Sequence, residues 1–151
     1  MIDKWDIRFL KLAKEVASWS KDPSTQTGAV IVRPDKTIAS VGYNGFPREM
    51  VDDENLLNNR EEKYDRTIHA ELNAILASKE TLTGYSIYVS PWMPCSRCAV
   101  HVIQANISNV IAVKASEDKL ERWKDSFDRT KKYLDECGVE LIEVDHDILE
   151  K

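Results

Sequence analysis

Two short motifs hold four side chains of the types and spacing that a hydrolytic metal centre needs: His69-Ala70-Glu71 and Pro94-Cys95-Ser96-Arg97-Cys98. His69, Cys95 and Cys98 make three zinc ligands. Structural zinc sites normally close with four protein ligands, whereas three leave a tetrahedral position for water. Two thiolates separated by two residues can grip one ion from the start of a helix, where the N-terminal dipole favours deprotonated sulfur. An open zinc position lowers the pKa of a bound water to about 7. Glu71 is not needed as a ligand, so it is placed to take that proton and pass it on.

Singly, each motif has a plainer reading. A Cys-x-x-Cys pair also describes a redox couple or half of a structural zinc site, and a lone His-Ala-Glu carries little information. The combination is far more specific, because a fourth structural ligand is hard to supply. His101 lies one helical turn after Cys98 and reads as a helix-surface or buried structural residue. His146 sits among acidic residues of the tail and reads as a surface group, and Cys137 as a buried or incidental thiol near a helix end.

The elements that must carry these residues follow from periodicity. Trp5, Phe9, Leu12, Ala13 and Val16 recur at helical spacing, which predicts a first helix ending near residues 18–20. Residues 28–32 and 38–43 are β-favouring runs joined by Pro34-Asp35-Lys36-Thr37, a good hairpin turn. Residues 44–65 show no sustained period and read as a long inserted loop. Thr67 is positioned to cap a helix through residues 72–76, with His69 and Glu71 in its first turn. The remainder predicts a strand at 87–89, a helix at 95–105, a strand at 109–113, a helix at 120–136 stopped by Gly138, and a strand at 139–144. Such alternation implies βαβ units and an α/β sheet covered by helices.

Composition bounds the partners. The chain has 151 residues, 42% hydrophobic and 31% charged, which is most simply one domain spanning residues 1–151. A formal charge of −5 argues against an electrostatic grip on nucleic acid. The cations on the 120–136 helix are interleaved with acids, so that face reads as solvated. No run reads as a signal peptide or membrane span, which predicts a cytoplasmic protein, and three cysteines fit reduced thiols and metal ligation.

His-x-Glu followed by Pro-Cys-x-x-Cys is the signature of zinc-dependent nucleobase deaminases. Within that class, Ser20-Lys21-Asp22-Pro23-Ser24-Thr25-Gln26-Thr27-Gly28-Ala29-Val30-Ile31-Val32, then Gly42-Tyr43-Asn44-Gly45-Phe46-Pro47-Arg48 and His69-Ala70-Glu71-Leu72-Asn73-Ala74-Ile75, closely resemble the deoxycytidylate (dCMP) deaminase family. The resemblance runs from the first helix to the final strand and is most specific over residues 20–48. It implies a cytidine deaminase-like three-layer α-β-α sandwich with a central mixed sheet of about five strands. It also implies hydrolysis of dCMP to dUMP and ammonia, a step toward dTTP synthesis. By that resemblance His69, Cys95 and Cys98 hold Zn2+, one per chain, and Glu71 carries the proton. Asn44, Ala70, Ser24, Thr25 and Ser90 meet the substrate.

The same likeness implies a homohexamer activated by dCTP and inhibited by dTTP, with Mg2+ accompanying the triphosphate. Lys21, Asp22, Asn44, Gly45, Phe46 and Glu49 are the effector-site residues it suggests. Two departures stand out. The approach Tyr88-Val89-Ser90-Pro91-Trp92-Met93-Pro94 is longer and more aromatic than the usual one, and residues 44–65 contain neither Cys nor His for a second, structural zinc. Lys21, Ser24, Thr25, Arg48 and Arg97 are the candidates to grip a substrate phosphate. Alternatives are a deaminase of a tRNA base or free nucleoside, or a non-catalytic zinc or nucleotide-sensing module, from which Glu71 distinguishes an enzyme.

Overall fold

Every residue of Gly28–Val32 is buried in strand β1, as a strand covered on both faces requires. In the computed structural model, which describes residues 2–150, β1 joins β2 (Ile38–Tyr43), β3 (Ser86–Ser90), β4 (Asn109–Val113) and β5 (Glu140–Val144) in one sheet of order β2-β1-β3-β4-β5. The sheet is mixed: β1 runs antiparallel to both β2 and β3, while β3, β4 and β5 are parallel. The expected turn closes the β1–β2 hairpin through Arg33 N–H to the Thr37 carbonyl at 2.8 Å.

Alternate side chains of β1 enter different cores. Val30 and Val32 pack with Tyr88, Ile111 and Val144 under Phe9, Leu10 and Val16 of α1 (Lys4–Ala17). Ala29 and Ile31 pack with Val89 and Val110 under α4 (Ala70–Ala77), α5 (Ser96–Gln104) and α7 (Lys124–Glu136). Helices therefore cover both faces, and the three-layer α-β-α architecture is the one the sequence implies. Asp3 and Asp6 start α1 with a reciprocal capping box, and the buried Asp6 carboxylate accepts the Tyr88 hydroxyl at 2.6 Å.

Two close approaches fix the layers. A Cβ on Gly28 would fall on the Ala13 carbonyl oxygen, and one on Gly42 would strike the α4 backbone at Ala74 N and Ala70 O. β2 and α4 can thus touch main chain to main chain.

The segment 44–65 is not one loop. It holds α2 (Glu54–Leu57), capped by Asp53, and α3 (Arg60–Arg66), capped by Asn59. Both are too short to show an apolar period. Thr67 does not cap α4: it ends α3, its hydroxyl donating to the Lys63 carbonyl, and His69 is the N-cap residue of α4. The helix expected at 120–136 is two, α6 (Glu117–Arg122) and α7, broken at Trp123. Gly138 stops α7 with φ 72°, and a 3-10 turn at His146–Glu150 closes the described chain. Cys137 is exposed, not buried. No helix among the described residues is long and apolar enough to cross a membrane.

Candidate active site

His69 and Cys95 occupy the N-cap positions of α4 and α5, and neither makes a side-chain capping hydrogen bond. Both side chains are therefore available to a ligand. Several contacts hold each helix start in place. Gly45 and Ile68 exchange backbone hydrogen bonds at 3.1 and 2.8 Å, tying the strand end to the residue before His69. Asn73 of α4 donates to the Tyr43 carbonyl at 2.8 Å. From α7, Thr130 donates to the Pro94 carbonyl at 2.9 Å and Ser126 accepts the Ser96 N–H at 3.0 Å.

The result is a compact donor set. His69 Nδ1 lies 3.5 Å from Cys95 Sγ and 3.2 Å from Cys98 Sγ, and all three ligand atoms are within 4.8 Å of one another. Zinc bonds of about 2.0 Å to nitrogen and 2.3 Å to sulfur, at tetrahedral angles, give ligand separations of roughly 3.5 to 3.8 Å. The residues fit Zn2+ with His69 binding through Nδ1. Among the described residues this is the one group of His, Cys, Asp or Glu so arranged.

Electrostatics separate the roles. Cys95 is held well below the ordinary thiol range by the neighbouring Cys98, against burial, with His69 assisting. The neighbouring Cys95, together with burial and the nearby Glu71, pushes Cys98 up. His69 is raised by its hydrogen bond to Cys95, against burial. Glu71, 5% exposed, is pushed up to about 7, chiefly by burial and then by the Cys95 thiolate, with His69 opposing. A carboxyl that titrates near neutrality beside a three-ligand set can both take and give a proton.

These residues open onto a cavity of ≈ 330 Å³. His69, Glu71 and Cys95 line it, with Val89, Trp92, Met93, Trp123 and Phe127 as an apolar wall. Asn44 also lines it, although its side chain is mostly committed. Its Oδ1 accepts Thr27 N–H at 2.8 Å and its Nδ2 donates to the Thr25 carbonyl at 2.9 Å, while its own carbonyl accepts the Ser20 hydroxyl at 2.8 Å. Asn44 therefore shapes the 20–27 loop.

Other sequence candidates scatter. Ser24, Thr25 and Asp22 line the cavity, whereas Ala70 and Ser90 are buried outside its wall. Lys21 pairs with Asp52 at 2.8 Å, and Lys21, Gly45, Phe46 and Glu49 are not in the wall. Arg48 and Arg97 are exposed outside it. The structure adds wall residues that sequence reasoning did not single out, notably Lys63 and Tyr64 of α3, Trp123, and Ser126 and Phe127 of α7. Only the aromatic approach at Trp92 gave a hint, because the others come from segments read as loop or as solvated helix.

Comparison with known proteins agrees with this geometry. Residues 3–114 match the family model described as the cytidine and deoxycytidylate deaminase zinc-binding region. The chain is 44% identical to an uncharacterized deaminase in the luxG 3' region of Aliivibrio fischeri, over 99% of each chain. It is 33% identical to the deoxycytidylate deaminase of Homo sapiens, covering 94% of this chain and 86% of that protein. The fold is shared with the crystal structure of the dCMP deaminase from cyanophage S-TIM5 in complex with dCMP and dUMP, at a TM-score of 0.74 and 22% identity, covering 95% of this chain and 99% of that one.

Proposed function

The chain belongs to the cytidine and deoxycytidylate deaminase family, and from that premise we propose that this enzyme hydrolyses dCMP to dUMP and ammonia. The observation that carries the reading is the buried Glu71 carboxyl, raised to about 7, which lines one cavity with His69 and Cys95 while Cys98 stands 3.2 Å from His69. Relatives named as deoxycytidylate deaminases at 33% and 34% identity supply the substrate.

The division of labour follows from the side chains. His69, Cys95 and Cys98 would hold zinc, which would supply the Lewis acidity that makes water a nucleophile at neutral pH. Glu71 takes one proton of the water and delivers it to N3 of the pyrimidine as the oxygen adds to C4, then takes the proton of that added hydroxyl and gives it to the amine as the C4–N bond breaks, leaving dUMP and ammonia. The family resemblance puts the Ala70 backbone along the base edge, although its side chain is buried outside the cavity wall. Trp92 and Phe127 exclude bulk water from the base, which strengthens each charge interaction inside. Asn44 keeps one amide hydrogen beyond its bond to Thr25, and that donor serves the sugar. Ser24 and Thr25 offer hydroxyls to the rest of the nucleotide, while Ser90 supports the pocket from the buried end of β3.

Regulation is part of the proposal: dCTP activates and dTTP inhibits a cytoplasmic homohexamer of this single-domain chain, with Mg2+ on the triphosphate. Its support is the resemblance over residues 20–48. Lys21, Gly45, Phe46 and Glu49 lie off the catalytic cavity, and Asn44 borders both regions. Asp22 lines the catalytic cavity, so it serves the effector set least well. A net charge of −5 favours a small substrate over a tRNA.

Ammonia release from dCMP, deoxycytidine and CMP tests the substrate; equal or better turnover of deoxycytidine rejects the monophosphate reading. Glu71→Ala should keep about one zinc per chain and lose about 10²-fold or more in turnover. Unchanged activity would reject the mechanism, and a wild type that releases no ammonia from any of the three substrates would restore the non-catalytic zinc-module reading. Titration calorimetry with dCTP and dTTP tests the effector site, and absence of binding by both rejects it.

A further inference from the structure

We propose that Lys63 contacts the 5′-phosphate of the substrate and sets the preference for a nucleotide over a nucleoside. This rests on the dCMP reading above. A phosphate monoester carries about −1.5 to −2 charges at neutral pH, and a cavity that takes it must offer a cation or several strong donors. Among the described residues, Lys63 is the one Lys or Arg side chain in the wall that also holds His69, Glu71 and Cys95. The cations that the sequence suggested lie elsewhere: Lys21 is held by Asp52, and Arg48 and Arg97 are exposed and do not line the cavity.

Lys63 is also placed in an unusual way for a lysine. Its side chain is 7% exposed and meets the 10% exposed Asp22 at 3.1 Å. Buried ammonium groups are costly and need a partner. That bond uses one of three ammonium hydrogens, leaving two for a ligand. The same Asp22 Oδ1 accepts the Ser24 and Thr25 backbone N–H groups at 2.8 and 3.0 Å. One carboxylate oxygen thus gathers an ammonium and a turn that carries two hydroxyls, and Lys63, Ser24 and Thr25 all line the cavity. An ammonium with two adjacent hydroxyls is a donor set suited to a monophosphate. Asp22 is the positioning residue: its carboxylate, itself anionic, does not bind the phosphate, but it holds the Lys63 ammonium and the Ser24–Thr25 turn together.

A purely structural role would have Lys63 and Asp22 clamp α3 to the 20–27 loop, and the two roles differ in specificity. Steady-state kcat/KM should be measured for dCMP and deoxycytidine in the zinc-loaded wild type and in Lys63→Gln, which can keep a hydrogen bond to Asp22 without the charge. We expect kcat/KM for dCMP to fall about 10- to 100-fold further than that for deoxycytidine, mainly through KM, the scale of a lost charge-assisted hydrogen bond. If Lys63→Gln does not fold, the double variant Lys63→Met/Asp22→Asn leaves no unpaired charge and takes its place. Equal losses on both substrates, or an unchanged preference, overturn the assignment of Lys63. A wild type without preference for dCMP overturns the dCMP reading itself, and this inference with it.

Discussion

Replacing Glu71 with Gln should make the protein more stable at alkaline pH while disabling it. Glu71 is buried at the cavity wall, and its acid is raised from an ordinary 4.5 to about 7, first by burial and then by the Cys95 thiolate. In the unfolded chain the same carboxyl ionises near its ordinary value. Between these two values the folded state binds more protons than the unfolded state, so stability falls as pH rises. Below pH 4.5 the group is protonated in both states and contributes nothing to the difference; above pH 7 the full penalty is present. At about 1.4 kcal/mol per pH unit the penalty is about 3 kcal/mol. Gln keeps the shape and removes the charge. The assay is thermal and urea unfolding of wild type and Glu71→Gln from pH 4 to 9, with metal stripped from both by a chelator so that only protein groups differ. The two should coincide near pH 4 and diverge to about 3 kcal/mol by pH 8, roughly 6 to 12 °C in Tm for a chain of this length. A difference that does not vary with pH, or a wild type that is the more stable at pH 8, would refute the reasoning.

Three further outcomes follow from packing and ligation. Gly42→Ala puts a methyl group against the α4 backbone at Ala70 and Ala74, so α4 must shift. Unfolding should show a loss of about 1 to 3 kcal/mol, and because His69 and Glu71 ride on that helix, turnover should fall as well. Tyr88→Phe leaves the buried Asp6 carboxylate without the hydroxyl bonded to it at 2.6 Å. It should cost about 1 to 3 kcal/mol in denaturant unfolding with kcat unchanged, since α1 lies on the face of the sheet opposite α4 and α5. Cys98→Ala removes one of three ligand atoms and should abolish stoichiometric zinc, read by atomic absorption after dialysis, together with activity.

Much of this molecule is legible in its sequence because the relevant signals are local. His69-Ala70-Glu71 and Cys95-Ser96-Arg97-Cys98 each lie within one helical turn, so spacing alone brings their side chains to one end of an element. The hairpin turn at residues 34–37 and the Gly138 stop depend on a few adjacent residues. Lys63 was illegible for the opposite reason. It sits in a run of charged residues that reads as solvated loop, and only the folded chain shows it turned inward against Asp22, 41 positions away in sequence. Trp123 looks like one residue of a long helix, yet the helix breaks there and the indole lines the cavity. Thr67 has the chemistry of a cap, but α3, which shows no periodic pattern, ends on it first. Pairings across long sequence separations shape the substrate's surroundings, whereas the reacting groups are encoded in two short words.

The bare N-caps of α4 and α5 carry one more consequence. Helices usually begin on Ser, Thr, Asp or Asn, whose oxygen occupies the first free amides. Here those positions are held by His69 and Cys95, turned toward the ion site and making no such bond. The ion therefore serves as a staple between two helix beginnings whose N-cap side chains make no bond to their own first turns. Metal content should then be visible in amide exchange: on chelation, the protons of the first turns at Glu71 and Leu72 and at Arg97 and Cys98 should exchange faster, while those of β1 at the centre of the sheet stay protected.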